Sequence, residues 1–232
     1  MSATQSLPVY IQISEMLIRD VQAGRLMDGA RLPPERDMAA ELGISVGTLR
    51  KALAVLTDKG LLDRRQGSGN YIRAAGKVDS VYALFRLELV AGGGLPTAQV
   101  LSVETLAKPP DLPAFGRDRT GHRIRRLRRL NARPAAVEEI WLDGSFAPEI
   151  AAGELSESLY LFYQKKLGLW IQRAEDRIGT GAMPEWGSGL IPDAPKVLGQ
   201  VDRLSWDQSN QTVEFSRTWF DPEHVRYVSR LK

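Results

Sequence analysis

Along the first sixty residues the apolar positions recur three and four apart. Tyr10, Ile13, Leu17 and Val21, widened by Ile18, predict a helix opened by Pro8 and stopped at Gly24. Met38, Ala39 and Leu42 give a shorter apolar face between Pro34 and Gly43. Pro34 suits the first position of that helix, where its missing N–H costs nothing, and Glu35 and Asp37 set negative charge against the helix dipole. Residues 28–34, before it, read as turn-like and extended. Leu49, Leu53 and Leu56 define a third stripe that ends at Gly60. Ser45 is placed to cap this helix, its hydroxyl accepting a first-turn N–H. Thr48, Arg50 and Lys51 fall off the stripe and reach outward.

Beyond Gly60 the pattern changes. Two short extended runs, 61–66 and 70–73, flank Gly67-Ser68-Gly69 and predict a β-hairpin. Helix, short extended piece, helix, turn, helix and hairpin is the order of a winged helix-turn-helix, with Ser45 to Leu53 opening the helix that reads DNA. The small polar stretch 74–77 is the expected boundary, which divides the chain into 1–75 and 80–232. In the second part, strands are expected at 81–90, 99–105, 123–130, 135–142, 169–178, 201–206, 212–220 and 226–231. Helical periodicity occurs at 155–166, with a second possible helix at 194–198. An antiparallel sheet with few helices is an α+β domain.

Two strands carry candidate chemistry. With a three-residue loop at Asn131, Ala132 and Arg133, Leu130 faces Pro134 and Arg126 lies opposite Glu138, with Arg128 on the same face. A cross-strand ion pair accounts for one arginine; the second is available to an anion. Alternation over 212–220 puts Glu214, Ser216, Thr218 and Phe220 on one face, as a ligand wall. Val213, Phe215, Arg217 and Trp219 take the other, as core or interface.

Composition narrows the classes. A chain of 232 residues with 43% hydrophobic and 25% charged residues has the makings of a globular core. The net charge of +3 shows no basic tail, so DNA contact must come from local placement. Residues 1–73 carry ten Lys/Arg against eight Asp/Glu, and six of the ten lie in the third helix or the hairpin. The absence of cysteine excludes disulfides, thiolate metal sites and cysteine nucleophiles. With two histidines, His122 and His224, no metal site or cofactor is expected. No apolar run approaches the ~20 residues that span a bilayer, and no signal core opens the chain, so a soluble cytoplasmic protein is expected.

Leu32-Pro33-Pro34-Glu35-Arg36-Asp37-Met38-Ala39, Leu42 through Leu53, Gly60-Leu61-Leu62 and Gln66-Gly67-Ser68-Gly69-Asn70 resemble the GntR family of bacterial transcription regulators. The resemblance implies DNA contact by Arg36, Ser45, Thr48, Arg50 and Gly69, with Gly67 shaping the wing and Lys51 alongside. Val46 stands where family members often carry arginine, so an apolar contact to a thymine methyl replaces a bidentate guanine contact. Asn70 replaces the usual wing threonine.

In the second part, Arg126-Leu127-Arg128, Pro134 through Glu138, Ser158-Leu159-Tyr160 and Val213 through Ser216 are similar to the UTRA effector domain of the HutC subfamily. That likeness implies an anion clamp of Arg126, Arg128, Ser158 and Tyr160, with Glu138 and Glu214 reading hydroxyl or amide groups. Phe220 replaces a tyrosine found in some relatives, which removes a hydrogen bond and argues against an amino-sugar ligand. The expected protein is a dimeric repressor of a catabolic or transport operon. It binds a pseudo-palindromic operator and is released by a small anionic metabolite. A small-molecule enzyme of the chorismate lyase-like fold is the alternative, disfavoured by the sparse histidines and the DNA module. The aminotransferase-fused GntR branch needs a far longer chain.

Overall fold

The computed structural model describes residues 7–73, 82 and 84–230, and these form two compact units, Leu7–Phe85 and Arg86–Val228. The expected boundary at 74–77 lies outside the described residues.

The first unit packs three helices, α1 (Val9–Gln22), α2 (Glu35–Glu41) and α3 (Val46–Asp58), against a hairpin of β1 (Leu62–Arg65) and β2 (Gly69–Ile72). Ile13, Leu17, Ile18 and Val21 of α1 are buried, as are Leu49, Leu53 and Leu56 of α3, so both predicted stripes face inward. Pro34 proves to be the N-cap of α2 rather than its first residue. Ser45 caps α3 as expected, its Oγ accepting the Thr48 N–H at 3.1 Å. The β1–β2 pairing runs from Leu62 opposite Ile72 to Arg65 opposite Gly69, and the extended segment before α2 joins it through an Arg31–Tyr71 bridge.

The second unit is built on a six-stranded antiparallel sheet in the order β4 (Pro96–Ala107), β5 (Thr120–Leu130), β6 (Arg133–Asp143), β9 (Thr212–Phe220), β8 (Leu198–Asp207), β7 (Ile171–Gly181). A small pair of β3 (Leu87–Leu89) and β10 (Val225–Tyr227) accompanies it. The expected strand 81–90 is therefore reduced to three residues among those described, and 226–231 to a three-residue strand displaced by one. The helix expected at 155–166 has only one α-helical turn, α4 (Leu159–Phe162), which widens into a π turn over Tyr163–Leu167. No helix forms at 194–198. Pro195 disfavours a helical Ala194, Asp193 is left-handed at φ 54°, and Leu198 already begins β8.

Apolar clusters pack on both faces of the sheet. Ile124, Ile140 and Leu142 pack with Leu155, Leu159, Phe162 and Tyr163. Leu127, Val137 and Trp219 pack with Leu198 and Ile191. Val213, expected on the second side, joins the first cluster; the register shift between Ser205 and Trp206 lies opposite it.

The β5–β6 hairpin departs from expectation in one respect. Its loop has two residues, Asn131 and Ala132, both at positive φ (49° and 63°), and Leu130 pairs with Arg133. A bulge between Arg128 and Arg129 then offsets the register by one, so Arg126 still lies opposite Glu138.

Candidate functional site

The outer face of the first unit gathers the polar side chains that its helices exclude from the core. Ser45, Arg50, Lys51 and Arg36 are exposed, while Val46 and Thr48 are half-buried at the start of α3. Arg50 is not loose. Its Nε donates to Glu35 Oε2 at 2.6 Å, and its backbone carbonyl accepts from Arg64 at 3.2 Å. Asn70 Nδ2 donates to the other Glu35 oxygen at 3.4 Å, joining the wing to the same carboxylate. Glu35 is held below the usual carboxylate range, chiefly by the Arg50 hydrogen bond, with Asn70 and the Arg64 charge helping against partial burial.

In the wing, Gly67 lies at φ 73° and Gly69 at φ 121°, conformations that side chains resist. A Cβ on Gly69 would lie 3.1 Å from Arg31 Nε, so this glycine also lets the Arg31 guanidinium lie against the wing. Arg65 stacks over Tyr71 at 4.3 Å. Arg31 was missed in the sequence because it precedes the helix signals; only its place in an extended run pointed to a strand.

In the second unit, Arg126, Arg128, Glu138, Ser216, Thr218 and Phe220 share one face of the sheet through the β5–β6–β9 register. Arg126 Nη2 and Arg128 Nε both donate to Glu138 Oε2, at 2.6 and 3.0 Å. Both arginines also reach the Glu157 carbonyl, at 3.3 and 3.4 Å. Burial pushes the Glu138 carboxyl up, but the two arginine charges and their hydrogen bonds outweigh it and hold it low. Arg126 Nε is buried without a hydrogen-bond partner among the described residues. Ser158 caps the short helix, its Oγ accepting from Leu161 N at 3.3 Å.

Glu214 has a different setting. Its carboxylate accepts from Tyr163 at 2.6 Å, Ser205 at 3.0 Å and Tyr160 at 3.2 Å. Burial pushes it above the usual range despite these three donors. It therefore fixes the direction of the Tyr160 hydroxyl on this face of the sheet. The same face holds a group that sequence reasoning missed. Arg203 on β8 grips Asp176 on β7 through two 2.6 Å hydrogen bonds, and Tyr227 adds a third at 2.6 Å. The tip of the Phe220 ring lies against Gly199, where a Cβ would overlap it. Period-two alternation in β8 would have put Arg203 beside Ser205, but its partners Asp176 and Tyr160 are 27 and 43 residues away in sequence.

On the turn after β9, Asp221, Glu223 and His224 bring three ligand-type atoms within 4.8 Å. Asp221 already accepts from Glu223 N and His224 Nδ1, so hydrogen bonding within the turn accounts for the cluster.

Models of two families match this chain: bacterial regulatory proteins of the gntR family over residues 9–72, and the UTRA domain over residues 91–226. The HTH-type transcriptional regulator SmoD of Agrobacterium fabrum is 60% identical, over 98% of this chain and 97% of its own. The chain belongs to the GntR family. This GntR regulator is also similar to the HTH-type transcriptional repressor NagR of Bacillus subtilis, at 26% identity over 97% of this chain and 96% of its own. A further relative is the mannosyl-D-glycerate transport/metabolism system repressor MngR of Escherichia coli, 28% identical over 95% of each chain. Among solved structures, YydK of Bacillus subtilis superposes with a TM-score of 0.54 over 96% of this chain and 99% of its own, at 19% identity, which shows the shared fold.

Membership makes the first unit a DNA-binding module of a transcriptional regulator, not part of an enzyme. Among the described residues, no helix of this GntR regulator is long and apolar enough to cross a membrane.

Proposed function

We propose that this GntR regulator is a cytoplasmic, dimeric repressor released from a pseudo-palindromic operator by a small anionic metabolite. In this reading Arg36, Ser45, Val46, Thr48, Arg50 and Lys51 face DNA together with the wing glycines. Arg126, Arg128, Ser158 and Tyr160 hold the anion, Glu138 and Glu214 orient them and the ligand's polar groups, and Phe220 supplies an apolar wall. The observation that carries it is the convergence of two buried arginines on one Glu138 oxygen, with Arg126 Nε left for an acceptor. A buried donor without a partner costs ~1–3 kcal/mol, and a bound anion would recover that. Two of the similar proteins are named repressors, one of them of a transport and metabolism system, which supports the sign of regulation.

Effector coupling of ~1–3 kcal/mol is enough to weaken operator binding about five-fold or more. The test is fluorescence anisotropy on DNA from upstream of the protein's own gene. Sugar phosphates, amino-acid catabolites and phosphonates that raise the melting temperature are then added. A stabilising anion should release the wild type, and Arg126→Ala should stay bound while keeping its operator affinity. Normal release of that variant would overturn the clamp.

A further inference from the structure

The extended segment ahead of α2 lies along the wing as a third strand. Leu32 N donates to the Asn70 carbonyl at 2.9 Å, Gly29 N to the Ile72 carbonyl at 2.9 Å, and Ile72 N to the Ala30 carbonyl at 2.8 Å. Arg31 pairs with Tyr71, and Tyr71 pairs with Asp63, so these three side chains share the outer face of the wing. Arg65 and Gly69, paired two places nearer the tip, lie on that face too. Arg64 and Asn70 take the inner face, where they reach Arg50 and Glu35.

The arginines around this face differ in what they hold. Arg65 and Arg73 both pair with Asp63, at 3.1 and 3.5 Å, and Arg65 also stacks on Tyr71. Arg31 is exposed and, among the described residues, has no hydrogen bond or ion pair. Its guanidinium is nonetheless directed. Nε, Nη2 and Cζ lie 3.1, 3.5 and 3.7 Å from where a Cβ on Gly69 would stand, so the group rides on the wing tip at a glycine that leaves room for it. Ser68, the only side chain between Gly67 and Gly69, is turned back to the Tyr71 hydroxyl at 2.8 Å. Arg31 is the uncommitted cation at the tip.

We propose that Arg31 reads DNA: its guanidinium enters the minor groove beside each half-site with the wing tip and selects A·T over G·C pairs there. This rests on the DNA face proposed above for α3 and the wing glycines. Arg64 donates to the Arg50 carbonyl, which fixes the base of the hairpin to the helix that lies in the major groove. Strands of four residues carry the tip ~13 Å onward, enough to cross one phosphate backbone. The groove beyond is ~6 Å wide, and a tip of Gly67, Ser68 and Gly69 is thin enough to approach it. A narrow A·T-rich minor groove concentrates negative potential and attracts arginine, whereas at G·C pairs the guanine amino group projects from the floor. Guanidinium sheds water more readily than ammonium, so lysine is a poor substitute there. A phosphate contact would carry no such preference.

The test selects binding sites from a random DNA pool with the full-length wild type, Arg31→Ala and Arg31→Lys. All three should return the same half-site core, and only the wild type should enrich A·T pairs at the adjoining step. Exchanging those pairs for G·C should weaken wild-type binding about five-fold or more, by anisotropy at fixed salt, and leave Arg31→Ala unaffected. Inosine·cytosine pairs keep the major-groove edge of G·C but lack its minor-groove amino group, so they should restore wild-type affinity. This arm uses the wild type alone and does not depend on the folding of a variant. If inosine fails to restore binding, or if Arg31→Ala loses the same factor on every sequence, Arg31 is at most a phosphate anchor and the proposal is overturned. A wild type that selects a core without the A·T step overturns Arg31 alone; one that selects no core overturns the DNA face with it.

Discussion

Arg50 of α3 and Glu35 of α2 are joined by a 2.6 Å hydrogen bond across fifteen residues of sequence. That carboxylate also accepts from Asn70 of the wing, so one acidic side chain sets the direction of the recognition-helix arginine relative to the hairpin. A lone arginine on an exposed helix face samples many rotamers; tethered at Nε, Arg50 is confined in direction, and its terminal nitrogens lie outside that hydrogen bond.

Removing the tether should cost specificity more than stability. Arg50 is 65% exposed, so the ion pair contributes under ~1 kcal/mol to folding. Glu35→Gln should leave the melting temperature nearly unchanged while narrowing the gap between operator and random DNA. Arg50→Ala should lower operator affinity by ~1–3 kcal/mol, measured by anisotropy at fixed salt. Equal discrimination in the wild type and Glu35→Gln would refute the aiming role.

Val46 is half-buried one residue after the cap, at the end of α3 that meets the groove in a winged helix. Val46→Arg should shift the preferred operator toward guanine at one position per half-site, with ~1–3 kcal/mol of new discrimination. Selection of binding sites from a random DNA pool reads this directly. An unchanged consensus would place Val46 outside the groove.

Glu214 supplies a pH signature. Burial raises its carboxyl, against the donors Tyr163, Ser205 and Tyr160 and the charge of Arg203. Its folded value lies above the unfolded one, about 4.3, so its contribution is fully present below that pH and is lost as pH rises through the folded value. Carboxylates held low, such as Glu138, act in the opposite direction, so the difference between variant and wild type is the quantity to read. Relative to wild type, Glu214→Gln should gain stability as pH rises above about 4.3, in urea unfolding midpoints taken in small pH steps. A constant difference would mean that Glu214 titrates normally.

Gly199 and Phe220 should be coupled. A Cβ at Gly199 overlaps the Phe220 ring, so Gly199→Ala should destabilise by ~1–3 kcal/mol through overpacking. In Phe220→Leu the same change should cost much less, and the double-mutant cycle measures the coupling. Additive effects would show that the ring moves aside freely.

Much of this protein was legible in one dimension. The stripes of α1 and α3, the Ser45 cap and the wing glycines depend on neighbours within a few residues, where spacing determines contact. Alternation in β9 likewise put Glu214, Ser216, Thr218 and Phe220 on one face. The Arg126–Glu138 pairing was read correctly although the loop was counted one residue too long, because the bulge at Arg128 and Arg129 compensates. Tertiary structure alone decided what those side chains touch. Glu214, read as facing a ligand, spends its oxygens on Tyr160, Tyr163 and Ser205, two of them more than fifty residues away. Arg203 and Asp176 meet only because β7 and β8 are adjacent in the sheet. Hydrogen bonds between distant strands leave no periodic trace, whereas caps and apolar stripes are written wherever the chain contacts itself locally.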